Sequence, residues 1–193
     1  MNKNRIEAFS DGVIAIIITV MVFDLKIPEI AAGFSDQEAW GALLKLLPKL
    51  GAYIMSFVVL GIMWLNHHAM YDLIERSTSH LVWYNHHLLF WMSLIPLPTA
   101  FLAAHPLLPQ ACMFYGLVLG GNALGFTLLR WYAAVKRKLM PYHPRYHQSN
   151  ILSTALYFSA AALAFVSVYL SYLIFIAIPV WYFLPDKLHQ QVE

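Results

Sequence analysis

Residues 5–28 read RIEAFSDGVIAIIITVMVFDLKIP, and this stretch decides the fold. Past Asp11 it carries no charge until Asp24, and Ile and Val dominate it. A helix needs about 20 mainly apolar residues to cross a bilayer. The run from Arg5 to Leu25 supplies them, and it ends before Pro28. Its opening is unusual, because Arg5, Phe9, Ser10 and Asp11 sit at the mouth of the apolar run. Charged and polar side chains there are costly to bury without partners, so they point to a built site rather than a plain anchor.

Outward from this stretch, five further candidate spans follow, at about 50–70, 80–104, 109–134, 149–169 and 171–187. The last two share a tight turn near Tyr169–Ser171. The 193 residues are 60% hydrophobic and 11% charged, with a mean hydropathy of +0.61. An average soluble domain is about 25% charged. The reading is an all-α integral membrane protein with six transmembrane helices, one domain over residues 1–193. A net charge of +2, spread along the chain, gives no footprint for nucleic acid. The single cysteine, Cys112, excludes an intrachain disulfide. Lys3 and Arg5 before an apolar run imitate a signal peptide. Asp11 interrupts that pattern, the cleavage signal around Ala31–Ala32 is poor, and more spans follow.

Lys and Arg in short loops set the orientation. With the N-terminus inside, the inner side receives Lys3, Arg5, Arg76, Lys136, Arg137, Lys138, Arg145 and Lys187. The outer side receives Lys26, Lys45 and Lys49. This asymmetry predicts cytoplasmic N- and C-termini, as an even number of spans requires.

After the first helix comes an acidic linker with Glu29, Asp36 and Glu38. Trp40–Leu50 reads as an amphipathic segment at the interface or as the flared outer end of helix 2. Pro96 and Pro98 should kink helix 3 or end it early. Gly116, Gly120, Gly121 and Gly125 give two G-x-x-x-G spacings in helix 4, suited to close packing within the chain or between subunits. The basic, aromatic loop Lys136–His147 serves as a positive-inside anchor or as a contact for anionic lipid. In helix 6, Pro179 precedes an interfacial aromatic end, Trp181–Phe183. One echo recurs: Trp64-x-Asn66-His67-His68 and Trp83-x-Asn85-His86-His87 flank the polar loop Tyr71–Ser79. An antiparallel hairpin would bring both groups to the inner depth of Arg5, Ser10 and Asp11.

On a helical wheel at about 100° per residue, Gly12, Ile16, Thr19, Val20 and Phe23 share one stripe, and Asp11 faces elsewhere. The stripe reads as ordinary packing surface. Repeated around a symmetric oligomer, it would instead form a narrow apolar constriction with a wider mouth at Gly12, of the kind that gates ions by dewetting. Ser10 and Asp11 read either as a helix N-cap or as groups bonded to the Asn-His-His clusters. His67, His68, His86 and His87 also suggest a haem- or metal-binding redox protein. Adjacent His side chains on a helix diverge, however, leaving two converging ligands where zinc wants about four. A purely structural scaffold is a third reading. There is no nucleophile elbow, H-E-x-x-H or Walker loop, and an enzyme is not expected.

Arg5-x-x-x-Phe9-Ser10-Asp11 opening the first of six helices resembles the transmembrane protein 175 family, whose animal members are lysosomal potassium channels. The Trp-Asn-His-His region of helix 2 adds to the likeness, and no T-V-G-Y-G filter occurs. The resemblance implies a homotetramer in a bacterial inner membrane, with helix 1 of each subunit lining a pore that passes potassium in preference to sodium. It needs no cofactor; potassium is the permeant ion, and the other partners are lipid and further copies of the chain. The narrowest ring would be Ile16, with Thr19 or Val20 and then Phe23 above it. Phe23 replaces the aliphatic residue the resemblance leads one to expect. Arg5, Phe9, Ser10 and Asp11 would hold helix 1 through Asn66, His67, His68, His86 or His87. Nine histidines, many near the inner face, also suggest sensitivity to pH; currents flat between about pH 5.5 and 8 would count against it.

Overall fold

The computed structural model describes residues 2–26 and 35–183. Pro28, Glu29, the Ala31–Ala32 pair and Lys187 lie outside them. The described chain is all-α, an integral membrane protein that folds as six helical passes. Four stretches are long and apolar enough to cross a bilayer: Lys3–Asp24, Asp36–Asp72, Ser79–Ala104 and Pro109–Lys136.

The first pass is α1, Lys3–Val20, drawn out by a 3-10 turn at Met21–Asp24. Asn2 is its N-cap, accepting a hydrogen bond from the Asn4 amide. Ser10 and Asp11 therefore lie two turns inside the helix, and the N-cap reading of those residues is corrected. The second pass starts with α2, Asp36–Leu44, opened by a reciprocal capping box between Ser35 and Glu38. A turn at Lys45–Leu46 separates it from α3, Leu47–Asp72. The third pass breaks at Ile95 into α4, Ser79–Leu94, and α5, Pro96–Ala104, because Pro96 and Pro98 cannot donate to the helix ladder.

The fourth pass, α6, runs over Pro109–Trp131 and widens into a π turn at Tyr132–Lys136. The last two are α7, Pro144–Leu163, and α8, Val168–Phe183. Their turn lies at 164–167, not at Tyr169–Ser171. Ser171 is a buried residue of α8, and its hydroxyl donates to the Ala160 carbonyl of α7 at 2.7 Å. The 20 residues of α7 span about 30 Å. It starts earlier than its apolar run suggests, because Pro144 at N1 has φ already set for a helix.

The core centres on α6, which is buried on almost every side and packs mainly against α7 and α4. Its glycines permit this. A Cβ on Gly116 would lie 3.0 Å from the backbone nitrogen of Ala161, and one on Gly121 would overlap the Trp91 ring. The small-residue spacing thus serves packing within the chain. Ser56, Thr99 and Tyr115 join α3, α5 and α6 through buried hydroxyl contacts of 2.7 and 2.9 Å. At one end, Lys3 Nζ donates to the Asp72 carbonyl and the Glu75 amide to the Leu139 carbonyl. The start of α1 and the 73–78 and 137–143 loops therefore share one side.

Candidate functional site

Two faces of α1 meet different surroundings. Ile6, Ser10, Ile14, Ile17 and Met21 recur at spacings of three and four, and all are buried against α3 and α4 or their neighbours. On the other side Gly12, Ile16, Thr19, Val20 and Phe23 are exposed, Ile16 to 63% and Phe23 to 74%. No atom comes within 4 Å of a Cβ built on Gly12, so packing within the chain does not require a glycine there. The Thr19 hydroxyl turns back on its own helix, 2.9 Å from the Ala15 carbonyl and 3.0 Å from that of Ile16. Its proton is spent locally, and only oxygen lone pairs remain for a neighbour.

The mouth of α1 is held by three separate contacts. In the first, Ser10 donates to the Ile6 carbonyl and accepts from Asn85 Nδ2, each at 2.8 Å. Asn85 Oδ1 is then left to face His67 Nε2 at 2.8 Å, so that nitrogen carries the imidazole proton. Ser10, Asn85 and His67 are fully buried, and the His67 ring stacks on Tyr71. In the second, Trp64 Nε1 donates to Asp11 Oδ1 at 2.9 Å. In the third, Glu7 meets His68 Nδ1 at 3.1 Å, while His68 Nε2 lies 3.6 Å from Asp72. Phe9 stacks on His86.

These contacts correct the expected network in several places. Asp11 bonds to Trp64 rather than to a histidine. Arg5 is exposed, and its side chain makes no hydrogen bond or ion pair with a described residue. Asn85 of α4 bridges α1 to α3. His87 accepts from Trp91 on its own helix at 3.2 Å, and His86 bonds the Val82 carbonyl. The four rings thus take four different sets of neighbours. The metal-ligating types that converge among the described residues are Glu7, His68 and Asp72, in which only one ring takes part. Glu7 carries no signal in the sequence, and Trp64 stands out there only as part of the repeated Trp-x-Asn-His-His motif. Asn85 had a usable signal, since it interrupts the stripe of Leu81, Leu88 and Met92 that buries α4.

The segment carrying this geometry, residues 5–96, matches the sequence profile of the family described as endosomal/lysosomal potassium channel TMEM175. A Chamaesiphon minutus protein named a potassium channel is 35% identical over 86% of this chain and 86% of its own length. The chain belongs to the TMEM175 family. A Chryseobacterium potassium channel is 41% identical over 67% of this chain, and the match spans 64% of that protein's length. The crystal structure of a lysosomal potassium-selective channel TMEM175 homologue from Chamaesiphon minutus superposes with a TM-score of 0.80. That match has 31% identity and covers 93% of this chain and 95% of the other. TMEM175 proteins are described as ion channels, not enzymes.

Proposed function

We propose that this protein is a potassium-permeable cation channel, passing potassium in preference to sodium through a pore lined by α1 of four identical chains. One observation carries the reading: α1 buries one face within its own chain and leaves Gly12, Ile16, Val20 and Phe23 exposed on the other. Membership of a channel family supports it. Conduction is passive. An ion enters at the wide ring of Gly12, crosses a neck at Ile16, and passes Thr19, Val20 and Phe23. Apolar side chains give an ion no substitute for its hydration water, so the neck conducts only when wide enough to stay wet. Potassium sheds water at lower cost than sodium, which favours it at such a neck.

Ser10, Asp11 and Glu7 fix the rotation of α1, and with it the side chains that face the axis. The basic residues at the start of α1 and in the 73–78 and 137–143 loops share one side, which the positive-inside rule places in the cytoplasm. The membrane is a bacterial plasma membrane, with both termini inside.

The test is potassium flux from liposomes holding the purified protein, with sodium and N-methyl-glucamine in parallel. Potassium flux above sodium is expected. Ile16→Asn is expected to raise flux and erode the preference, because an amide at the neck keeps it wet. No cation flux from folded, inserted protein would sink the channel reading; unchanged flux in the variant would remove Ile16 from the neck.

A further inference from the structure

Arg130 belongs to no loop: it lies in the last turn of α6. Only 7% of the residue is exposed, and its side chain meets no carboxylate among the described residues. What it touches is the face of the Tyr146 ring, 4.9 Å from the guanidinium carbon, and Tyr182 lies within electrostatic reach. One turn along α7 from Tyr146, Asn150 is also more than nine-tenths buried. Its Oδ1 accepts from Tyr182, but its Nδ2 donates to nothing described. The inner ends of α6 and α7 therefore gather a guanidinium and an amide N–H that lack acceptors among the described residues. A buried cation needs a counter-charge, and the carboxyl end of α6 supplies only a partial one.

Beside this cluster, an apolar groove of about 220 Å³ runs between α7 and α8. Ser153 belongs to both: it lines the groove, and its hydroxyl is 3.2 Å from that of Tyr182. From Trp181 at the inner end the groove runs to Leu156 and Leu173, toward the middle of the membrane. Lys136, Arg137 and Lys138 follow α6, Arg145 lies in the first turn of α7, and all four are exposed. Cationic head and apolar track together match the two parts of an anionic phospholipid.

We propose that each chain binds one anionic phospholipid here, its phosphate held by Arg130 and Asn150 and an acyl chain lying in the α7–α8 groove. Conduction is not part of this claim, and its test reads lipid rather than current. The full chain, purified in neutral detergent, is titrated with phosphatidylglycerol and with phosphatidylcholine of the same acyl chains, and retained lipid is counted by native mass spectrometry. Inorganic phosphate runs as a soluble control. A buried charge-assisted contact predicts a preference for phosphatidylglycerol of roughly tenfold. Arg130→Gln should cut it to within about twofold, and Arg130→Lys should restore part of it. Arg137→Gln with Lys138→Gln should leave most of it intact.

If Arg130→Gln does not fold, Ala177→Phe decides, since it fills the groove and leaves the polar cluster alone; loss of phosphatidylglycerol there supports the site. Equal retention of both lipids by the wild type would overturn it. So would a preference that survives Arg130→Gln or Ala177→Phe, or one that vanishes with the loop pair alone. Displacement of the lipid by inorganic phosphate would overturn it as well, making the site one for a soluble anion.

Discussion

Asn85 occupies the narrowest point in the attachment of α1. It links the Ser10 hydroxyl to the His67 ring, and all three are shut off from solvent. Asn85→Leu keeps the volume but leaves the His67 N–H without an acceptor. The expected cost is about 1–3 kcal/mol, read as a lower melting temperature of the detergent-solubilised protein. A variant as stable as the parent would show that α1 is held mainly by its apolar contacts. Asp11 is tied differently, by one bond from a half-exposed indole. Asp11→Ala and Trp64→Phe should therefore be non-additive, with a coupling of about 1 kcal/mol. Asp11→Asn, which still offers an oxygen, should retain most of it. Asp11→Ala should lower flux or assembly and leave the potassium-to-sodium ratio alone; full additivity in the cycle would dismiss the bond as incidental. The residue types of this site were legible, because Ser10, Asp11 and the two Asn-His-His groups are polar interruptions of apolar runs. Their pairing was not. Two adjacent histidines point about 100° apart, and the rotation that turns His67 inward and His68 toward Glu7 is settled by packing across three helices.

Helices were read from length and hydropathy, and these serve well where a breaker is present. Pro96 divides the third pass, and Pro109 and Pro144 open α6 and α7. The turn at 164–167 was misplaced because Ala164, Phe165, Val166 and Ser167 include no glycine or proline. The glycines of α6 and α1 look alike in sequence but do different work. At Gly116 an added Cβ would press on the backbone of Ala161, which cannot swing away as a side chain can. Gly116→Val should cost about 1–3 kcal/mol through overpacking. Gly12 meets nothing within 4 Å, so Gly12→Ala should stabilise the chain by about 0.5–1 kcal/mol, the usual gain for alanine within a helix. Four added methyl groups would nevertheless narrow the proposed mouth, so potassium flux should fall while the melting temperature holds or rises. Unchanged flux would move the mouth away from Gly12.

At the scale of the whole molecule, the exposed face of α1 is ambiguous for a single chain, because lipid tails cover apolar side chains as readily as other copies do. Ile16 at 63% and Leu173 at 64% are equally exposed. The proposed assembly separates them: Ile16 would meet its counterparts at the symmetry axis, whereas Leu173 would face the bilayer. Chemistry can distinguish the two because Cys112 is fully buried, giving a silent background for thiol reagents. Ile16→Cys protein in membranes, treated with a short thiol–thiol cross-linker, should run as a linked species on a denaturing gel. Leu173→Cys should remain a single chain under the same treatment. Each chain offers one reactive thiol, so the linked species holds two chains and no more. A linked species from Leu173→Cys as well would remove the distinction between the two faces. Single chains from Ile16→Cys, in protein that still passes potassium, would place the pore on another helix and leave the exposed face of α1 to lipid.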